Sequence, residues 1–135
     1  MTENGLKMTR TMTLYKGAMK MYFKSDYHEE QTKMLLEKFR KSDVLQDIEY
    51  GSFAYIIGAT YKAEKIAETI DEDNTIDLDK LYEIIGVFSS SEQGMIRFAL
   101  QCFNSSIDDI KLSDVMRPLD EENTKVIKQA IEIRY

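Results

Sequence analysis

One cysteine, one proline, one histidine and no tryptophan occur in a chain of 135 residues. With Cys102 alone, no disulfide can close within the chain and no zinc site can be built on paired cysteines. With Pro118 alone, a proline-rich linker or low-complexity tract is excluded. No apolar run approaches the roughly 20 residues that cross a bilayer, and the N-terminus lacks the apolar segment of a secretory leader, so a non-secreted protein of a reducing cytoplasm is expected. Also missing are GxxxxGK[ST], a GxGxxG following a strand, and HExxH, which leaves nucleotide hydrolysis and zinc proteolysis without a motif. His28 adjoins Glu29 and Glu30, but no serine or cysteine nucleophile stands beside it at local spacing, and it reads as a first-turn helix histidine. Cys102 sits next to Phe103 in an apolar segment and reads as a small buried hydrophobe.

What is present is ample apolar material, 43% of residues, interleaved with 31% charged ones, a balance that supports a folded core in a single domain of this size. Charge is unevenly placed. Residues 1–24 hold Lys7, Arg10, Lys16, Lys20 and Lys24 against Glu3 alone, a net of +4, which leaves −10 on residues 25–135 of a chain whose total is −6. A body that acidic repels phosphates and attracts basic protein surfaces, so direct nucleic-acid binding by the main domain is not expected.

The chain divides into a basic, Met-rich N-terminal arm, 1–21, and an acidic helical domain, 22–135. In the arm, Met8, Met12, Tyr15, Met19 and Tyr22 form one stripe if the segment is helical, although "TRTMTLY" also alternates as a strand would and Gly17 interrupts a helix. The arm is therefore helical or extended, and Met8, Met12, Tyr15 and Met19 are candidates for self-association into a homodimer.

From Ser25 onward the helical punctuation is clear. Ser25 caps a helix with Tyr27, Met34, Leu35 and Phe39 inward and Glu29, Glu30, Lys33, Glu37 and Lys38 outward. Asp43 with Gln46 opens a second helical region, in which Gly58 marks a stop or a close helix approach. "YKAEKIAETI" is a short third helix with Ile66 and Ile70 inward, and Asp77 caps a fourth with Leu78, Leu81, Tyr82 and Ile85 on one face. Ser90 and Gln93 have capping-box spacing before a core helix bearing Ile96, Ala99, Leu100 and Phe103. Asp120 caps the last, with Val126, Ile127, Ala130 and Ile131 inward. The expected fold is all-α, a single compact domain of about six short helices.

The stretch "IDEDNTIDLDKL" concentrates Asp71, Glu72, Asp73, Asp77 and Asp79, with Glu83 following. A calcium hand starting at Asp71 needs Gly at position six and a bidentate Glu at twelve, where Ile76 and Tyr82 stand. Starting at Asp73 puts Leu78 and Ile84 there, so both registers fail. A two-metal hydrolytic centre needs carboxylates converging from several elements, whereas these are local. The stretch is expected to be an acidic turn between helices, with Asp77 starting the next one, and a candidate patch for a basic partner. No catalytic residue, metal or cofactor is expected.

The segments "YFKSDYHEEQTKMLLEKF", "EYGSFAYIIGAT", "SSSEQGMIRFALQCFN" and "PLDEENTKVIKQAIEIRY", in this order, resemble an uncharacterised family of small proteins from phages and prophages of Gram-positive bacteria. The resemblance covers most of residues 22–135 and carries over no catalytic residue. It implies the bacterial host cytoplasm and the company of anti-CRISPR and other anti-defence proteins. The leading expectation is a non-enzymatic protein that binds a CRISPR effector nuclease and obstructs its positively charged nucleic-acid channel. The alternatives are a homo-oligomeric phage accessory protein of regulation, replication or assembly, and a metal-dependent hydrolase.

Overall fold

The computed structural model describes residues 10–13 and 20–135. Among these, two strands precede seven helices: β1 (Arg10–Thr13), β2 (Lys20–Phe23), α1 (Asp26–Lys38), α2 (Ile48–Thr60), α3 (Ala63–Ala67), α4 (Leu78–Ile85), α5 (Ser90–Phe103), α6 (Leu112–Met116) and α7 (Glu121–Arg134). The expected all-α domain is found, preceded by a two-stranded antiparallel ribbon that pairs Arg10 with Phe23 and Met12 with Met21. Where the arm is described it is extended rather than helical. The β-branched Thr11 and Thr13 favour a pleated backbone, and this outweighs the three-and-four spacing of the methionines. Met8, Tyr15 and Met19 lie outside the described residues. Met21 is fully buried and Phe23 nearly so, which makes β2 part of the core.

The domain is arranged around α2. Its residues Gly51 to Thr60 are all buried, as expected of a helix apolar on every side. It packs against α1, α5 and α7. Phe53, Ile56 and Ile57 have no exposed surface, and each such side chain contributes about 1.5–3 kcal/mol on leaving water. Gly58 permits the approach of α1, and Gly51 that of the segment joining α1 to α2. A Cβ on Gly58 would lie 2.5 Å from Thr32 Oγ1 and 2.9 Å from Thr32 N, and one on Gly51 would lie 1.9 Å from the Val44 carbonyl oxygen. Gly58 thus marks a close crossing of α1 and α2, not a stop.

Local chemistry sets the helix starts. Ser25 Oγ accepts from His28 N at 3.0 Å, and Asp120 Oδ1 from Asn123 N at 2.7 Å. Two starts differ from expectation. Asp43 Oδ1 accepts from Leu45 N and Gln46 N and closes one turn, and α2 then begins at Asp47, whose carboxylate takes Glu49 N and Tyr50 N. The capping box before α5 is Ser89 with Glu92 rather than Ser90 with Gln93; Glu92, unlike Gln93, also brings a negative charge to the helix N-terminus.

The phase of α1 is likewise rotated. Its buried row includes His28, Thr32, Leu35 and Phe39, so Tyr27 is 44% exposed instead of inward and Glu29 is buried instead of outward. Glu29 pairs with Lys33 at 3.5 Å. At the end of α1, Arg40 takes φ 61°, which lets Lys41 N reach the Leu36 carbonyl at 2.8 Å. At the end of α2, Tyr61 takes φ 62°, a conformation a bulky residue rarely adopts. Its hydroxyl meets Ser25 Oγ, its ring packs edge-on to Tyr27, and Lys24 Nζ lies 4.6 Å from its centroid.

Candidate acidic docking face

Between α3 and α4 the chain forms a narrow turn. Ile70 and Ile76 pair as an antiparallel bridge, and Asp77 N donates to the Thr69 carbonyl at 2.7 Å. Inside the bridge, Asp71 Oδ1 accepts from Asp73 N at 2.8 Å and Thr75 N at 3.0 Å, while Asn74 takes φ 63°. A short side chain that bonds its own loop backbone is the chemistry for which Asp is favoured in turns. Asp77 Oδ1 then accepts from Lys80 N at 3.1 Å and starts α4, as the sequence indicates.

The turn is tied to the end of α1 by two contacts. Asn74 Nδ2 donates to the Phe39 carbonyl at 3.3 Å, and Arg40 Nη2 to the Glu72 carbonyl at 2.8 Å. The left-handed Arg40 therefore holds the loop by its backbone, not by its charge. Lys80 is used in the same way, through the Glu68 carbonyl.

All six carboxylate residues of the predicted patch, Asp71, Glu72, Asp73, Asp77, Asp79 and Glu83, are exposed. They divide into two kinds. Asp71 and Asp77 brace the turn and the helix start, whereas Glu72, Asp73, Asp79 and Glu83 make no side-chain hydrogen bond to a described residue. Among the described residues no ion pair reaches any of the six. Asp79 and Glu83 are one helical turn apart on α4, where neighbouring side chains are about 5–6 Å apart. The result is an acidic face whose adjacent cations, Arg40 and Lys80, are turned toward carbonyls.

A family model described as a family of unknown function, DUF6075, matches residues 18–135. The chain belongs to that family. The match takes in β2 and every helix and leaves β1 outside. No curated protein and no solved structure matches the chain.

The remaining candidates for chemistry are locked. His28 has no exposed surface; its Nε2 donates to the Tyr55 carbonyl at 2.8 Å, and its Nδ1 accepts from Lys24 N at 3.2 Å. Burial lowers its pKa to about 4, with the Lys24 charge adding to the effect and the Tyr55 bond opposing it. The ring is therefore a neutral crosspiece between α1, α2 and the end of β2. Burial raises Cys102 to about 11, against smaller opposing effects of Ser52 and Arg134, so the thiol stays protonated. Among the described residues, no three His, Cys, Asp or Glu side chains converge as a metal-binding group, and no helix is long and apolar enough to cross a membrane.

Beside these lies a polar clamp that the sequence does not announce. The Tyr55 hydroxyl donates to the Tyr22 carbonyl, and Tyr22 N donates to Gln129 Oε1 at 3.0 Å. Both backbone groups of Tyr22 are thus satisfied by side chains from α2 and α7. Partners 33 and 107 residues apart leave no local signal.

Of the candidate self-association residues, only Met12 is described, on β1 opposite Met21.

Proposed function

We propose that this chain is a non-enzymatic protein-binding module that uses the turn at 71–77 and the outer side of α4 to engage a basic protein surface. The observation that carries the reading is the set of four exposed carboxylates, Glu72, Asp73, Asp79 and Glu83, without a cation among the described residues. Surface carboxylates on a rigidly braced turn meet lysines and arginines without first having to break internal ion pairs, and they attract them over a Debye length of about 8–10 Å.

The most concrete partner is a phage-defence nuclease, in particular a CRISPR effector, whose basic channel holds nucleic-acid phosphates. A phage- or prophage-encoded inhibitor acting in the bacterial cytoplasm would place these carboxylates where phosphates otherwise bind. The reading is supported by the charge pattern and by the resemblance of the chain to small phage proteins.

Its test is binding of the purified chain to a guide-loaded effector across a salt series, with and without target DNA. Salt-sensitive binding that competes with DNA, and that is lost in the Glu72→Gln/Asp73→Asn/Asp79→Asn/Glu83→Gln variant, is the expected result. Equal binding by that variant removes the acidic face from the reading, and no binding by the parent chain removes the effector.

A further inference from the structure

Next to the acidic turn a groove of about 370 Å³ runs between the loop and the C-terminal end of α5. Tyr50 and Phe103 form its aromatic side, Ile76, Leu78 and Ile107 its aliphatic side, and Asp73 stands among the lining residues. The two rings meet edge-on at 5.1 Å and continue inward to Phe39 and Phe53, which are buried, so the aromatic wall is the outer end of a rigid four-ring cluster.

Elsewhere the same protein repeatedly assembles one arrangement: a cation over an aromatic ring, held by a carboxylate. Arg97 lies 5.0 Å from the Tyr82 centroid and bonds Asp109 Oδ2 at 2.8 Å. Lys41 lies 4.8 Å from the Tyr50 centroid and pairs with Asp47 at 3.5 Å. Arg134 lies 5.0 Å from the Tyr135 centroid and pairs with Glu49 at 3.5 Å. In the groove the ring and the carboxylate are both present, as Phe103 and Asp73, and no described lysine or arginine pairs with Asp73.

We propose that this groove seats an arginine side chain from a basic segment of a protein partner. The occupant follows from complementarity. Ile76, Leu78 and Ile107 suit the apolar stem, the ring of Phe103 suits a flat guanidinium, and Asp73 suits its charge. Arginine fits better than lysine because a planar, weakly hydrated group can stack and bond a carboxylate at once. The inference deepens the acidic-face reading and rests on it, since the neighbouring carboxylates bring the basic segment to the groove.

The test uses the full chain and three short acetylated, amidated peptides that differ only in carrying two arginines, two lysines or two citrullines, followed by NMR of the aromatic rings. The arginine peptide is expected to shift the ring signals of Tyr50 and Phe103 and to bind about fivefold more tightly than the lysine peptide, with citrulline weaker than both. Asp73→Asn, which removes no side-chain hydrogen bond to a described residue, is expected to weaken the arginine peptide about tenfold, and the Glu72→Gln/Asp79→Asn/Glu83→Gln variant only about threefold. Phe103→Leu, checked by its melting curve, should abolish the arginine-over-lysine preference.

Binding with unmoved ring signals and no effect of Asp73→Asn overturns the groove while leaving the acidic face standing. Failure of every basic peptide to bind the parent chain overturns both. Ring signals that shift with protein concentration alone would show a second copy in the groove and overturn a partner's arginine as its occupant.

Discussion

Acidification should loosen this domain through His28. The imidazole ordinarily titrates near 6.5 and is lowered to about 4 by burial in the folded chain. Between those values the unfolded chain binds a proton that the folded chain refuses, so stability rises with pH there. The contribution is intact above 6.5, is lost as pH falls from 6.5 toward 4, and levels off below. A separation of about two and a half units limits the loss to about 3 kcal/mol, of which about 2 kcal/mol falls between pH 7 and pH 5. For a domain of this length that corresponds to a fall in Tm of roughly 6–10 °C.

The structural reason is specific. Protonating Nδ1 turns the acceptor for Lys24 N into a donor, and two donors then face each other at the junction of β2 and α1. Urea unfolding followed by far-UV circular dichroism at pH 7, 6 and 5, on the parent chain and on His28→Gln, isolates the effect. The variant keeps an amide N–H for the Tyr55 carbonyl and has no titration, so it should start less stable and lose about 2 kcal/mol less over this range. An equal pH dependence in the two proteins would refute the reasoning.

Other outcomes follow from the geometry. Asp71→Ala should cost about 1 kcal/mol because it frees two turn N–H groups, whereas Glu72→Gln and Asp79→Asn should stay within about 0.5 kcal/mol of the parent in urea midpoint measurements. Gly58→Ala should destabilise by about 1–3 kcal/mol by driving α1 from α2, and Thr32→Ala should not restore it, because the Thr32 backbone N also lies 2.9 Å from the new Cβ. Tyr55→Phe leaves the Tyr22 carbonyl without its donor; a loss of about 1–3 kcal/mol and faster amide exchange in β2 are expected, and unchanged exchange would contradict the clamp.

The features legible in the sequence were those decided by near neighbours. Ser25, Asp77 and Asp120 were readable as caps because a short oxygen-bearing side chain before an apolar helix has one common use, whereas the serine run at 89–91 offered several starts and its true cap lay one residue early. The facing of α1 at Tyr27 and Glu29 is not legible in the sequence, because polarity argues for exposure. His28 and Thr32 are polar and nevertheless buried: His28 bonds the Tyr55 carbonyl of α2, and Thr32 Oγ1 bonds the His28 carbonyl. The acidic turn was legible as a turn and a helix start, but the separation of Asp71 and Asp77 from the other four acids depends on which backbone N–H groups they reach. The groove was not legible, since Tyr50, Asp73 and Phe103 come from three distant elements and each alone looks like core or surface.

The clamp and the buried axis also bear on synthesis. α2 leaves the ribosome long before α7, yet Val126, Ile127, Ala130 and Ile133 of α7 are buried in the core that α2 shares, and Gln129 holds β2. A nascent chain stopped before residue 121 exposes the apolar flank that α7 covers and lacks the side chain that holds Tyr22. Domains generally fold as units, and exposed apolar surface is what aggregates. A ribosome stalled at that point would therefore carry a chain with that apolar flank in water, and the emergence of α7 is the step that completes the core.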